Sequence, residues 1–521
     1  MISVITIFAI CIAIDYIRIH TLEKWMFIVI DKYLAKYKLK YILMEDNLKG
    51  KTKKGLYWSF FNQFANYGMQ FCVGIVMARL LSPEDYGITA LPAVFMSVAM
   101  ILQEGGLSDA LVRKTDLKEQ DISTAFYYSF GVGIFMYLVL FFAAPFIADF
   151  YKTPVLVPLM RVTALGFVWG AMGIPQNVIL KRRLDFKTPT KIGITTKVFS
   201  ACVGIGMAFA GYGLWALVIS GFLSGLLYQI LIWYKVRWLP TTKWSKDSFK
   251  YLWNYGNKMI ASSMLNTIYN NIAPIFIGKY YSPAQLGVYN RAQNYAAMPS
   301  QNVTGVISNV TFPVLSKMQN DNEKLAFNYR RMLRASAFVI FPIMMMLSAL
   351  AHPLVITMIT AKWESCIILL QIICFSMMWY PIHAINLNLL MVKGRSDLFF
   401  RLEIIKKLVG LAILVFTLPM GLVYLCIGGI FSSMICLAIN TYYTGKLIQV
   451  GYWKQMKDLI PILVLSILTW LCIHGVNYFI TNLVLQIIIG GIIGAIFYIG
   501  IAYILKFSEL EDVKYMLNRK K

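Results

Sequence analysis

Apolar and polar positions alternate along this chain in long blocks. A bilayer-spanning helix needs about 20 consecutive, mostly apolar residues. Fourteen runs meet that rule between residues 56 and 505: about 56–80, 87–109, 122–149, 156–180, 189–211, 214–235, 252–280, 286–312, 334–359, 364–392, 398–419, 422–445, 458–479 and 483–505. The breaks between them are short and carry turn residues, such as Gly211-Tyr212-Gly213, Lys393-Gly394-Arg395-Ser396 and Pro419-Met420-Gly421. Barrel strands would instead read as alternating segments of roughly ten residues. The pattern therefore predicts an all-α polytopic membrane protein of about 14 transmembrane helices: two parallel six-helix halves plus two C-terminal helices.

The halves show as an internal echo. Ser82-Pro83-Glu84-Asp85-Tyr86-Gly87 returns 200 positions later as Ser282-Pro283-Ala284-Gln285-Leu286-Gly287. At the same offset Gly105 and Ser108 match Gly305 and Ser308, Arg79 pairs with Lys279, Asp109 with Asn309, and Asn66 with Asn266. Turn chemistry and helix end stay in register without a gap, as parallel halves of a secondary transporter would. The expected organisation is an N-terminal segment over 1–54 and a six-helix half over 55–236. A linker over 237–250, a second half over 251–446, two extra helices over 447–507 and a tail over 508–521 complete it.

Composition agrees with the membrane reading: 59% hydrophobic, 15% aromatic and 14% charged, where a soluble domain carries about 25% charged residues. The net charge of +25 would suggest nucleic acid in a soluble protein. Here its placement decides. Alternate polar stretches hold 35 Lys and Arg, and the intervening ones hold 4 (Lys152, Lys279, Arg291 and Lys362). Positive charge stays cytoplasmic, so both termini are expected inside. The surplus is a topology signal with attraction to anionic membrane lipids as a by-product, and no nucleic acid is expected. Residues 1–43 stand apart. Met1–Ile14 is too short to span and lacks a signal-peptide pattern, and 15–43 reads as a basic surface helix. Met44 is the expected native start.

Catalytic and cofactor chemistry find little support. The eight cysteines all lie in apolar runs with no C-x-x-C, and the four histidines are dispersed, so neither disulfide nor metal is expected. Gly50-Lys51-Thr52 resembles the end of a phosphate loop, but Glu45 stands where the pattern needs glycine. No Ser-His-Asp or paired-carboxylate arrangement emerges. The outer stretches are a handful of residues each, shorter than a polysaccharide polymerase or membrane glycosyltransferase would require. The expectation is a non-enzyme without a cofactor.

Ionisable residues inside spans carry the remaining signal. Each costs about 2.5–3.5 kcal/mol at a helix centre and faces a cavity or a partner, unless it snorkels to the headgroups. Arg79, Lys279, Arg291, Arg161 and Lys197 lie inside predicted spans. Acidic residues there are fewer, Glu104 and Asp109 among them. A surplus of positive charge suits an anionic, phosphate-bearing substrate. Asn62, Gln63, Asn66 and Gln70 recur at helical spacing on the first run, and Asn266, Asn270 and Asn271 on the seventh. Such a face either binds neighbouring helices or lines a wet cavity. Its presence on the first helix of both halves favours the cavity. With aromatic neighbours such as Tyr67 and Tyr269, it suits sugar hydroxyls. Gly221-x-x-x-Gly225 and Gly490-x-x-x-Gly494 are expected to be close-packing faces.

Met77-Ala78-Arg79-Leu80-Leu81-Ser82-Pro83-Glu84-Asp85-Tyr86-Gly87 resembles the Wzx-type lipid-linked oligosaccharide flippases of the multidrug/oligosaccharidyl-lipid/polysaccharide exporter superfamily, in their colanic-acid exporter-like group. Leu286-Gly287-Val288-Tyr289-Asn290-Arg291-Ala292-Gln293 resembles that group's repeat motif. The likeness covers about residues 50–505. It implies a bacterial inner-membrane transporter that moves an undecaprenyl-diphosphate-linked repeat unit to the outer leaflet for lipopolysaccharide or exopolysaccharide assembly, with a polysaccharide polymerase as an expected partner. The diphosphate would rest on Arg79, Arg161, Lys197 and Arg291 while the polyprenyl tail stays in lipid. Arg79 and Lys279 would face one another at an outer exit gate. The alternatives are a drug or cation exporter of the same superfamily, which would call for an acidic cavity, and a membrane enzyme of polysaccharide assembly such as a polymerase, which would call for a large outer loop.

Overall fold

The computed structural model describes residues 46–510, so the expectations for 1–43 and for the last eleven residues fall outside the described part. Each of the fourteen apolar runs is helical, and four are broken. The first half comprises α1 (Asp46–Leu80), then α2 (Pro83–Ala90), α3 (Ala93–Glu104) and α4 (Leu107–Arg113), which together form the second run. It continues with α5 (Glu119–Tyr151), α6 (Leu156–Met172) and α7 (Ile174–Arg182), α8 (Lys187–Phe209) and α9 (Leu214–Val236). The second half has α10 (Lys246–Tyr280), α11 (Pro283–Ser316), α12 (Asn322–Ala349) with α13 (Ala351–Ile359), and α14 (Cys366–Met377) with α15 (Tyr380–Val392). It ends with α16 (Ser396–Thr417) and α17 (Leu422–Ile448), and α18 (Tyr452–Tyr478) and α19 (Leu483–Ile504) follow.

Among the described residues, nine helical spans are long and apolar enough to cross a membrane, or ten if α6 and α7, bent by 42°, form one. The other four of the fourteen are α1, α10, α11 and α16. They are helical but too polar to qualify on apolarity alone. They carry Asn66 and Gln70 (α1), Asn266 and Asn270 (α10), Arg291 and Gln293 (α11), and Lys406 and Lys407 (α16). Groups of that kind need a wet or protein-lined face within a bilayer.

The 200-residue echo is only partly structural. Ser82 and Ser282 each cap the following helix in a capping box, with Asp85 and Gln285 reaching back and proline at the first helical position. Further on the halves diverge. Gly105 and Gly106 adopt φ of 55° and 64° and break the second run, whereas Gly305 sits inside the unbroken α11. The doublet supplies two consecutive left-handed residues that only glycine adopts freely, and the lone Gly305 has no such neighbour.

The chain forms two compact units that are not contiguous in sequence. One holds the described residues through Gly74 with Phe95–Pro145 and Val157–Leu265. The other holds Ile75–Val94, Phe146–Leu156 and the described residues from Asn266 onward. In the second unit α12 is the central rod: Tyr329, Leu333, Ala337, Ile340, Phe341 and Met344 are fully buried. The two extra helices dock on it through polar chemistry as well as packing. Arg330 makes a two-pronged ion pair with Asp458 at 2.7 Å on each arm. Gln455, fully buried, donates to Tyr329 Oη at 3.2 Å and Thr444 Oγ1 at 3.0 Å, and exchanges hydrogen bonds with Asn386. Gly490 and Gly494 pack on Ile473, where an added Cβ on Gly494 would come within 2.6 Å of its side chain, as the small-residue pattern predicts. Gly221 and Gly225 do the opposite, because nothing lies within 4 Å of an added Cβ. They form an open face, not a packing face.

Candidate functional site

Within the first unit, α1, α8 and α9 line an open cavity of about 340 Å³ walled by Asn66, Gln70, Lys197, Ser200, Ser220 and Ser224 among others. The 3.6-residue period puts Asn62, Asn66 and Gln70 on one face of α1. The Lys197 ammonium donates to Asn66 Oδ1 at 2.5 Å. The Asn66 amide nitrogen passes the polarity on, donating to Asn62 O at 2.6 Å and Asn62 Oδ1 at 2.7 Å. Three residues singled out from sequence, Lys197, Asn66 and Asn62, are thus hydrogen-bonded in a row, Gln70 lines the same cavity, and the open Gly221 belongs to its wall. Serine hydroxyls, amides and one ammonium can together hold a hydroxylated anion.

The second unit has a related cavity of about 300 Å³ between α10, α11, α14, α16 and α17, lined by Tyr269, Asn270, Gln293, Ser376, Gly410 and Ser432 among others. Asn266 does not stand alone either: Lys407 on α16 donates to its Oδ1 at 2.5 Å. Sequence reasoning missed Lys407, counting it with the positive charge of the inner flank. It lies eleven residues after α16 begins. The repeat offset grows from 200 at the first helices to about 210 at the fifth, so a fixed-offset comparison from Lys197 lands on Asp397.

The remaining cations are held differently. Arg79 and Lys279 do not meet one another. The Arg79 guanidinium donates to the carbonyls of Met358, at 2.7 Å, and of Thr357, at the C-terminus of α13. The Lys279 ammonium donates to the Phe150 carbonyl at the C-terminus of α5 and lies 4.1 Å from the Phe150 ring centre. Cations at these positions satisfy orphan carbonyls and oppose the helix dipole. Arg291 is stacked among Tyr86 at 4.3 Å, Trp363 at 5.2 Å and Tyr295 at 5.6 Å. Arg161 lies 4.1 Å over the Phe141 ring, its Nε buried without a hydrogen-bond partner. In the turn between α13 and α14, Trp363 Nε1 donates to the Ala78 carbonyl at 2.9 Å and Lys362 to the Arg79 carbonyl at 2.7 Å. Burial pushes the Lys362 ammonium below the ordinary lysine range, with the Asp85 carboxylate opposing.

The two Ser-Pro motifs meet backbone to backbone in the second unit. A Cβ on Gly87 would fall 1.6 Å from the Pro283 carbonyl oxygen, and one on Gly287 would fall 2.0 Å from that of Pro83. This reciprocal crossing explains why glycine recurs at that place in both repeats. In the first unit a Cβ on Gly256 of α10 would fall 2.1 Å from the Gly105 oxygen, a second approach between helices of different repeats.

A polytopic helical membrane protein whose least apolar helices present asparagines to lysines of neighbouring helices has the build of a carrier. The chain belongs to the family described as "Polysaccharide biosynthesis protein", whose pattern matches residues 76–368, more than half of its 521 residues. It is 24% identical over 366 residues to the lipopolysaccharide biosynthesis protein WzxC of Escherichia coli (strain K12), covering 69% of this chain and 74% of that one. It is 22% identical over 489 residues to the succinoglycan biosynthesis transport protein ExoT of Rhizobium meliloti (strain 1021), covering 92% and 98%. The fold matches that of the lipid II flippase MurJ in its inward closed conformation with a TM-score of 0.70, at 15% identity, over 86% of this chain and 99% of that one. At that identity the likeness establishes the fold alone, a polytopic all-helical membrane architecture.

Proposed function

We propose that this protein flips an undecaprenyl-diphosphate-linked oligosaccharide from the cytoplasmic to the outer leaflet of a bacterial inner membrane, with both termini cytoplasmic, for surface polysaccharide assembly. The observation that carries this reading is the Lys197 ammonium in the Asn66–Gln70 cavity, set inside a membrane helix of a polysaccharide-biosynthesis family chain. A cation there stabilises a phosphate, and the amides and serine hydroxyls around it match sugar hydroxyls. The nearly full-length match to a succinoglycan transport protein supports the same substrate class. A drug-cation exporter would need acidic groups where this cavity holds Lys197.

Mechanistically, the headgroup enters a polar face while the polyprenyl tail stays among lipids. Pairing the diphosphate with lysine lowers the cost of moving its charge through the apolar layer. The crossing at Gly87 and Gly287 would be the outer gate, closed here backbone to backbone, and Arg79 and Lys279 would brace the helix ends beside it. In this reading the protein transports and catalyses no reaction, and a polysaccharide polymerase uses the flipped unit. Deletion of the gene is expected to trap lipid-linked oligosaccharide in the cytoplasmic leaflet. Normal surface polysaccharide, with no accumulation and no redundant transporter, would overturn the proposal.

A further inference from the structure

Asn66 and Asn266 are repeat mates, and each accepts a 2.5 Å hydrogen bond from a lysine on the fifth helix of its own half. Lys197 lies ten residues after the start of α8 and Lys407 eleven after the start of α16, about 15 Å and about 16 Å along the two helix axes at 1.5 Å per residue. No carboxylate lies within 4 Å of either ammonium among the described residues. The contrast is next door, where Lys406 is ion-paired to Glu403. An amide oxygen occupies one of the three ammonium donors and leaves the positive charge uncompensated. Such a charge is expensive within a span.

The surroundings of Lys407 are built for a polar guest. Its ammonium lies 5.7 Å from the Tyr269 ring centre. One turn further along α16, Gly410 leaves room for the Tyr269 hydroxyl, which an added Cβ would meet at 2.0 Å. Tyr269 and the adjacent Asn270 then line the 300 Å³ cavity with Gln293, Ser376 and Ser432.

We propose that Lys407, held in readiness by Asn266, is a second anion clamp equivalent to the Lys197–Asn66 pair, and that it takes a phosphate of a polyprenyl diphosphate headgroup beside the second unit's cavity. This rests on the flippase reading above. The asparagine is a neutral placeholder: its oxygen satisfies the ammonium in the empty state and yields to a charged phosphate oxygen, whose hydrogen bond is roughly twice as strong. The exchange needs no proton transfer.

The test uses the full-length protein in nanodiscs of neutral lipid, with a polyprenyl diphosphate as probe and the uncharged polyprenol as control. Lys407→Gln is expected to weaken diphosphate binding about tenfold or more, the loss of one charge-assisted hydrogen-bond set, while polyprenol binding stays as in wild type. Lys407→Arg should retain most of the affinity. Asn266→Ala keeps the charge and removes the competitor, so it should bind at least as tightly as wild type. Diphosphate binding by Lys407→Gln within twofold of wild type, while Lys197→Gln loses it, would sink the second clamp. Equal losses in Asn266→Ala and Lys407→Gln would make the pair a structural strut. If Lys407→Gln does not fold, the Arg and Asn266→Ala variants decide by the same criteria. Wild type that fails to discriminate diphosphate from polyprenol would remove the substrate reading itself, and this inference with it.

Discussion

Gly87 and Gly287 have no room for a methyl group. The nearest atoms are carbonyl oxygens of proline-fixed turns, which cannot move aside as a side-chain tip could. Gly87→Ala and Gly287→Ala are each expected to cost about 2–3 kcal/mol by overpacking and to lower the thermal unfolding midpoint in detergent. Gly68→Ala, with nothing within 4 Å, should leave it unchanged. The cations divide in the same way. Arg79 caps a helix end, so Arg79→Gln should lower stability by about 1 kcal/mol and reduce surface polysaccharide in step with the amount of folded protein. Among the described residues the Lys197 ammonium has a hydrogen bond only to Asn66, so Lys197→Gln should leave the melting midpoint near wild type and abolish complementation of a deletion strain at equal expression. Arg291 is stacked among three aromatic rings, and a share in holding substrate is proposed for it besides that packing. Arg291→Ala that restored polysaccharide as well as wild type would show it is not essential to transport.

At the scale of the element, the informative helices are those a hydropathy test rejects. α1, α10, α11 and α16 are too polar to pass on apolarity; α1 and α10 supply the asparagine of each lysine–asparagine pair, α16 supplies Lys407, and only Lys197 comes from a helix that does pass, α8. Polar residues in a span are costly, so their concentration on a few helices marks where water or substrate is met. α18 shows the complementary case, a span fixed by a buried polar knot. Removing Gln455 as Gln455→Ala would leave Tyr329, Asn386 and Thr444 short of partners, at an expected cost of about 2–4 kcal/mol. Thermal unfolding of the purified variant reads it. A midpoint unchanged from wild type would mean that α18 docks through apolar packing alone.

For the whole molecule, the proposed orientation, with both termini cytoplasmic, gives each loop a side. Single cysteines placed at Lys152 and Glu364 in a background without native cysteine should react with an impermeant thiol reagent in intact cells, and one at Lys317 should not. The reverse pattern would invert the proposed direction of the gates. The sequence by itself determined the all-helical spanning architecture, the two Ser-Pro turns with their capping boxes, and the polar faces of α1 and α10. All of these rest on local periodicity, capping chemistry and a bilayer's intolerance of unpaired backbone. Only the tertiary structure decided that Arg79 and Lys279 turn to helix ends rather than to each other. It also showed that Gly87 and Gly287 mark a backbone crossing, and that Lys407 answers Lys197. Those facts depend on which helices lie side by side. A repeat whose offset drifts by about ten residues hides such pairings from any reading made along the chain.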